Sequence, residues 1–184
     1  SKFLLQGSDA EKIINHVSAN NMSVPSGRIV YTQWLNEQGG ISADLTVTRL
    51  AEDVYMVMTA FSSHTRDFSW LRSHIPPDTH AVLTDVTAAY AGINVQGPNA
   101  RALLQKVSSA DFSNQAFPFG MSRKIELGYA TVRASRISYV GELGWELLVP
   151  SDRAVHVYET LFRAGGDLGL SNVGMHAMNS LRIE

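Results

Sequence analysis

The chain has 184 residues, slightly above the roughly 150-residue scale of one domain, and is long enough to bury a substantial core. Its 45% apolar and 17% charged content is ordinary for a globular protein, and a formal charge of −2 provides no broad basic field for nucleic acid or anionic lipid. The absence of cysteine removes disulfides, thiolate nucleophiles and cysteine-ligated zinc, and neither a signal-peptide layout nor an apolar run near the ~18 residues of a membrane span is present.

The first element, Phe3-Leu4-Leu5, is strand-like, and after Gly7 a helical stretch starts at Ser8-Asp9. Ile29 to Leu35, Ile41 to Leu50 and Val54 to Thr59 are rich in β-branched and aromatic residues. Breaks at Asn36 to Gly40 and at Ala51-Glu52-Asp53 predict three antiparallel strands. Helical periodicity returns from Ser63 to His74.

The pattern then starts again. Ile93 to Leu104 lines up with Phe3 to Ile14, Gln96 on Gln6 and Gly97 on Gly7; subtracting 6 from 96 gives an offset of 90 positions. The second half predicts a helix opening at Pro98-Asn99, a strand over Tyr129 to Ile137, a sharp reversal at Gly141 and Gly144, a strand over Trp145 to Val149 and a helix over Asp152 to Ala164. His176 to Glu184 is helix-like to its last residue, and both chain ends predict a fragment of a longer polypeptide. The expected class is α+β. Two duplicated ferredoxin-like (split βαβ) halves, about 1–90 and 91–184, together form one domain over 1–184.

Two stretches carry candidate chemistry. In Asn36-Glu37-Gln38-Gly39-Gly40-Ile41-Ser42-Ala43-Asp44, the glycines supply a tight turn and Asp44 follows on the second strand. By itself this spacing favours a solvent-facing strand acid over a pocket carboxylate. In Ser138-Tyr139-Val140-Gly141-Glu142-Leu143-Gly144-Trp145-Glu146, the reversal is expected to bring Tyr139 and Glu146 to one hairpin mouth. An aromatic face beside a carboxylate suits a flat heterocycle with an amino group and a ring N–H, although a plain hairpin with a surface Glu is the commoner arrangement. His64, His74 and His80 lack the i, i+4 spacing and the carboxylate partner of a metal site, and no metal is predicted. Gly165-Gly166 reads as a helix stop rather than a phosphate loop.

Together with Val95-Gln96-Gly97-Pro98-Asn99-Ala100-Arg101 and Leu181-Arg182-Ile183-Glu184, these motifs stand in the order seen in the glycine-cleavage aminomethyltransferase family, which the chain resembles from about Phe3 to Glu184. The resemblance implies a folate-binding domain that captures an iminium or formaldehyde unit on tetrahydrofolate to give 5,10-methylenetetrahydrofolate. It assigns Asp44 as the catalytic residue, Tyr31 and Tyr139 to the pocket wall and Glu146 to the pterin. Thr59 to Asp67 and Gly174 to Arg182 resemble the dimethylglycine and sarcosine dehydrogenases. In that branch an upstream FAD domain, a downstream domain and a small N-methylated amine are the expected partners, and Met178 stands where the glycine-cleavage pattern has Arg. A cytoplasmic location, or alternatively the mitochondrial matrix, is expected. A non-catalytic subunit resembling the pyruvate dehydrogenase phosphatase regulatory subunit, the glycine-cleavage enzyme itself and a folate-dependent demethylase are the alternative readings.

Overall fold

The computed structural model describes residues 1–184, and they cluster into two compact units, Ser1–Ala88 and Ala89–Glu184. In the first unit, strands β1 (Lys2–Gln6), β2 (Ile29–Leu35), β3 (Ile41–Ala51), β4 (Val54–Met58) and β5 (Val82–Asp85) form one antiparallel sheet in the order β2-β3-β4-β1-β5. Helices α1 (Ala10–Val17) and α2 (His64–Ser73) complete it. Strand alternation directs Phe3, Leu5, Trp34, Ala43, Leu45, Val47, Tyr55 and Val57 to one face, where they pack with Ile13, Ile14 and Val17 of α1 and Leu71 of α2. At ~0.8 kcal/mol per buried CH₂ this core dominates the stability of the unit.

The second unit contains β6 (Tyr90–Gln96), α3 (Ala100–Val107), β7 (Ser122–Leu127), β8 (Ala130–Ser135), β9 (Gly144–Pro150), α4 (Ala154–Ala164) and α5 (Met175–Ile183). Its antiparallel sheet runs β6-β9-β8-β7, with Trp145, Leu147, Val149, Val132 and Ala134 packed against Leu103 and Leu104 of α3 and Val157 and Leu161 of α4.

Read as β1-β4-β3-β2, the first sheet repeats the order of the second, and the offset of 90 reaches individual hydrogen bonds. Lys2 faces Met58 and Gln6 faces Val54, just as Gly92 faces Leu148 and Gln96 faces Gly144. The Gly7 amide donates to the Asp53 carbonyl, and the Gly97 amide to that of Leu143. Both glycines have positive φ, 129° and 119°, which an L side chain rarely adopts.

Several sequence expectations require correction. β5 and β7 were not anticipated. The strand expected over Tyr129 to Ile137 is confined to Ala130–Ser135, and the expected sharp reversal is a longer connection over 136–143. Gly141 turns it with φ 79°, but Gly144 lies buried at the start of β9. A Cβ on Gly144 would come within 2.9 Å of Gln96 Cγ and 3.1 Å of the Val95 carbonyl oxygen, so this glycine serves close strand approach rather than the turn. The cap residues Asp9 and Asn99 do not cap their helices with their side chains. Asp9 Oδ2 accepts from the His80 amide at 2.7 Å, and Asn99 Nδ2 donates to the Leu168 carbonyl at 3.1 Å.

The irregular stretch between α3 and β7 is held by two arginines. Arg101 donates to the Phe112 carbonyl at 2.9 Å and Arg136 to that of Phe117 at 2.6 Å, and both guanidinium groups donate to Asn114 Oδ1. Phe112 and Phe117 are fully buried against Trp145.

Candidate functional site

In the first unit, the Asn36 side chain builds the hairpin. Its Oδ1 accepts from the amides of Gln38 (3.1 Å) and Gly40 (2.8 Å), while Gly39 takes φ 79° and its amide donates to the Asn36 carbonyl. A Cβ on Gly40 would stand 2.9 Å from Asn36 Nδ2, so a larger residue here would push the Asn36 side chain aside. The turn fixes the register in which Gln33 faces Asp44 and Tyr31 faces Thr46. These four side chains share the sheet face opposite the helices. Asp44 is exposed, its Oδ1 accepts from Gln33 Nε2 at 3.1 Å, and Tyr31, two positions along, is 59% exposed. A phenol, an amide and a carboxylate therefore line one accessible strip.

In the second unit, Glu146 projects from β9 on the face opposite Trp145 and Leu147, between Asn94 of β6 and Ser135 of β8. It is half-buried, no ion pair reaches it, and burial pushes its carboxyl above the ordinary range. Beyond it, Ser135 Oγ donates to Ser122 Oγ at 3.0 Å, and half-buried Arg133 approaches the same Ser122 at 3.4 Å. Burial lowers the Arg133 pKa, and no carboxylate forms an ion pair with it. Asn94 and Arg133 escaped the sequence reading. The alternation of Arg133 with Val132 and Ala134, both buried, is the signal that would have placed it on the Glu146 face.

Tyr139 lies in the 136–143 connection, where its ring is 44% exposed and the Arg182 guanidinium carbon stands 4.0 Å from the ring centroid. The Arg182 guanidinium thus stacks on the Tyr139 ring, a contact the sequence reading did not anticipate. A cavity of about 930 Å³ in this unit is lined by Asn94, Glu142, Met178 and Arg182 among others, and includes neither Tyr139 nor Glu146. His64 does have a carboxylate neighbour, correcting the sequence reading. Its Nε2 is 3.1 Å from Asp85 Oδ2, and its Nδ1 is 3.0 Å from Ser1 Oγ.

The model of the GCVT N-terminal domain matches residues 1–184. The chain belongs to this family. As a GCVT-family chain it is 38% identical over 184 residues to a 4-methylaminobutanoate oxidase (formaldehyde-forming) of Paenarthrobacter nicotinovorans. It is 39% identical over 203 aligned residues to the mitochondrial sarcosine dehydrogenase of Homo sapiens. Each match takes in 100% of the chain but only 22% of the relative's length. The solved structure of glycine cleavage system aminomethyltransferase T from Bartonella henselae superposes with a TM-score of 0.83 at 25% identity, covering 99% of this chain and 47% of that one. This GCVT-family chain is therefore α+β, with two antiparallel sheets and an aminomethyltransferase-like structure, and no helix in it is long and apolar enough to cross a membrane.

Proposed function

We propose that the chain is the tetrahydrofolate-holding part of a one-carbon transfer enzyme of the dimethylglycine and sarcosine dehydrogenase kind, taking up an iminium or formaldehyde unit and yielding 5,10-methylenetetrahydrofolate. The observation that carries the reading is Glu146, a half-buried carboxylate without an ion-pair partner on an otherwise ordered sheet face. Such a group is costly unless donors arrive from outside, and the amino group and ring N–H of a pterin are two donors side by side. The matched strand orders support reading each unit as a ferredoxin-like half.

Tetrahydrofolate, when bound, supplies the nucleophilic nitrogens. The residues then act by orientation and electrostatics. Glu146 accepts hydrogen bonds from the pterin and fixes its rotation, and Tyr139 and Tyr31 offer flat aromatic walls. Asp44 accepts a hydrogen bond from the N10 side of the folate and places a negative charge where cationic character develops. Gln33 steadies the Asp44 carboxylate through the hydrogen bond to its Oδ1. The name of the 4-methylaminobutanoate oxidase supports an amine substrate with an N-methyl group, and that of the human relative supports a mitochondrial location. An FAD domain elsewhere in a longer polypeptide belongs to the same proposal.

Transfer rates and tetrahydrofolate titration on the full-length polypeptide test these roles. Asp44→Asn should largely preserve affinity and slow transfer by about 10²-fold or more. Glu146→Gln should weaken binding by about 1–3 kcal/mol. An unchanged rate removes Asp44 from the mechanism, and an unchanged affinity removes Glu146 from the pterin site.

A further inference from the structure

The edge of β1 is closed by β5, with Phe3 facing Asp85, Leu5 facing Leu83 and Gln6 facing Val82. The corresponding edge of β6 is open, because β6 pairs with β9 alone. Four observations lie along this edge. The cavity of about 930 Å³ borders it, walled by Ile93, Val95, Leu103, Leu161, Phe162 and Leu170. Phe3 is fully buried, whereas Ile93, its counterpart 90 positions on, remains partly exposed. Gln96 also lines the cavity, and its Nε2 is buried without an acceptor. A Cβ on Gly7 would lie 2.1 Å from the carbonyl oxygen of His80, in the segment entering β5, whereas a Cβ on Gly97 would meet open space.

Within the chain, the in-register counterpart of β5 is Asn172–Met175. It forms no strand: residues 172–174 are irregular, Met175 opens α5, and Val173, in the place of Leu83, is 57% exposed. β5 stands in a second relation to the repeat, since it leads through 86–89 directly into β6. In a longer protein, the segment in the same relation to β1 would be the one immediately N-terminal to it. The chain spans 22% of the length of two of its relatives, and the proposal concerns a longer protein of that kind.

We propose that β6 accepts an extended antiparallel strand with the alternation of Val82–Asp85, supplied by the polypeptide that runs into β1 in the longer protein. An apolar residue in the place of Leu83 enters the cavity, and a backbone carbonyl reaches Gln96 Nε2. The open amides and carbonyls of β6 give affinity, and the cavity gives register. The proposal is independent of folate binding.

Residue-resolved hydrogen exchange on the full-length polypeptide tests it. Outward-facing amides within Gly92–Gln96 should exchange at least roughly tenfold more slowly than in a variant lacking the ten or so residues upstream of β1. The β8 and β9 amides, equally protected in both, control for folding. Should the deletion unfold the unit, a cysteine pair in the intact polypeptide replaces it, one cysteine at Asn94→Cys and the other scanned through the upstream segment; a cross-link supports the proposal. Fast exchange in the intact polypeptide, protection that survives the deletion, or failure to cross-link at every upstream position overturns it. Protection that depends on protein concentration, pointing to a second copy, or that appears only with tetrahydrofolate overturns it too.

Discussion

Glu146 is a destabilised carboxylate, and its environment sets the direction of a pH effect. Burial raises its folded-state pKa above the ordinary 4.5, so the neutral form favours folding. That contribution is fully present below about pH 4.5 and is lost as pH rises through the raised value. At pH 7 the Glu146→Gln variant should therefore melt above wild type by about 1–3 °C, with the gap closing in acid. Differential scanning calorimetry across this range checks it, and equal melting temperatures at pH 7 would contradict the assignment. A gain in stability combined with a loss of folate affinity would mark the residue as retained for binding. The identity of Glu146 was legible in its Gly-Glu-Leu-Gly-Trp-Glu setting. Its burial was not, because burial arises from pairing with Asn94 and Ser135, which lie 52 and 11 positions away by subtraction.

Among the elements, the β2–β3 hairpin was legible because its turn chemistry is local. Asn36 and two glycines admit few other conformations, and the register of Asp44 against Gln33 follows from them. Asn36→Ala removes the acceptor for two backbone amides and should cost about 1 kcal/mol in urea unfolding. It should also reduce transfer activity, since Asp44 and Tyr31 ride on the two strands it joins. Full stability in this variant would show that the glycines alone set the turn. β5 and β7 were missed for different reasons. β5 is four residues long and follows Pro76-Pro77, and its Val82 is 64% exposed, so little apolar signal marks it. In β7 the apolar face holds only Ile125 and Leu127, because Arg123 stands where the alternation would continue, and the strand pairs only with β8 at the sheet edge.

At the scale of the whole molecule, the repeat was the most informative feature of the sequence, because an offset of 90 predicts paired registers, paired glycine turns and paired helices at once. Where the halves diverge, sequence reasoning stopped short. The 136–143 connection is longer than a hairpin turn, and Tyr139 meets Arg182, a residue from the far end of the chain. The irregular stretch before β7 has a consequence of its own. Lacking helix or strand, it looks like a natural cleavage point, yet two guanidinium clamps and two buried phenylalanine rings hold it as firmly as core. Within this stretch, a chymotrypsin-type protease under native conditions should leave the bonds after Phe112 and Phe117 intact and cut after Phe119, whose ring is 68% exposed. Mass spectrometry of the early fragments would show this. The length of an unstructured segment is thus a poor guide to where this molecule can be opened.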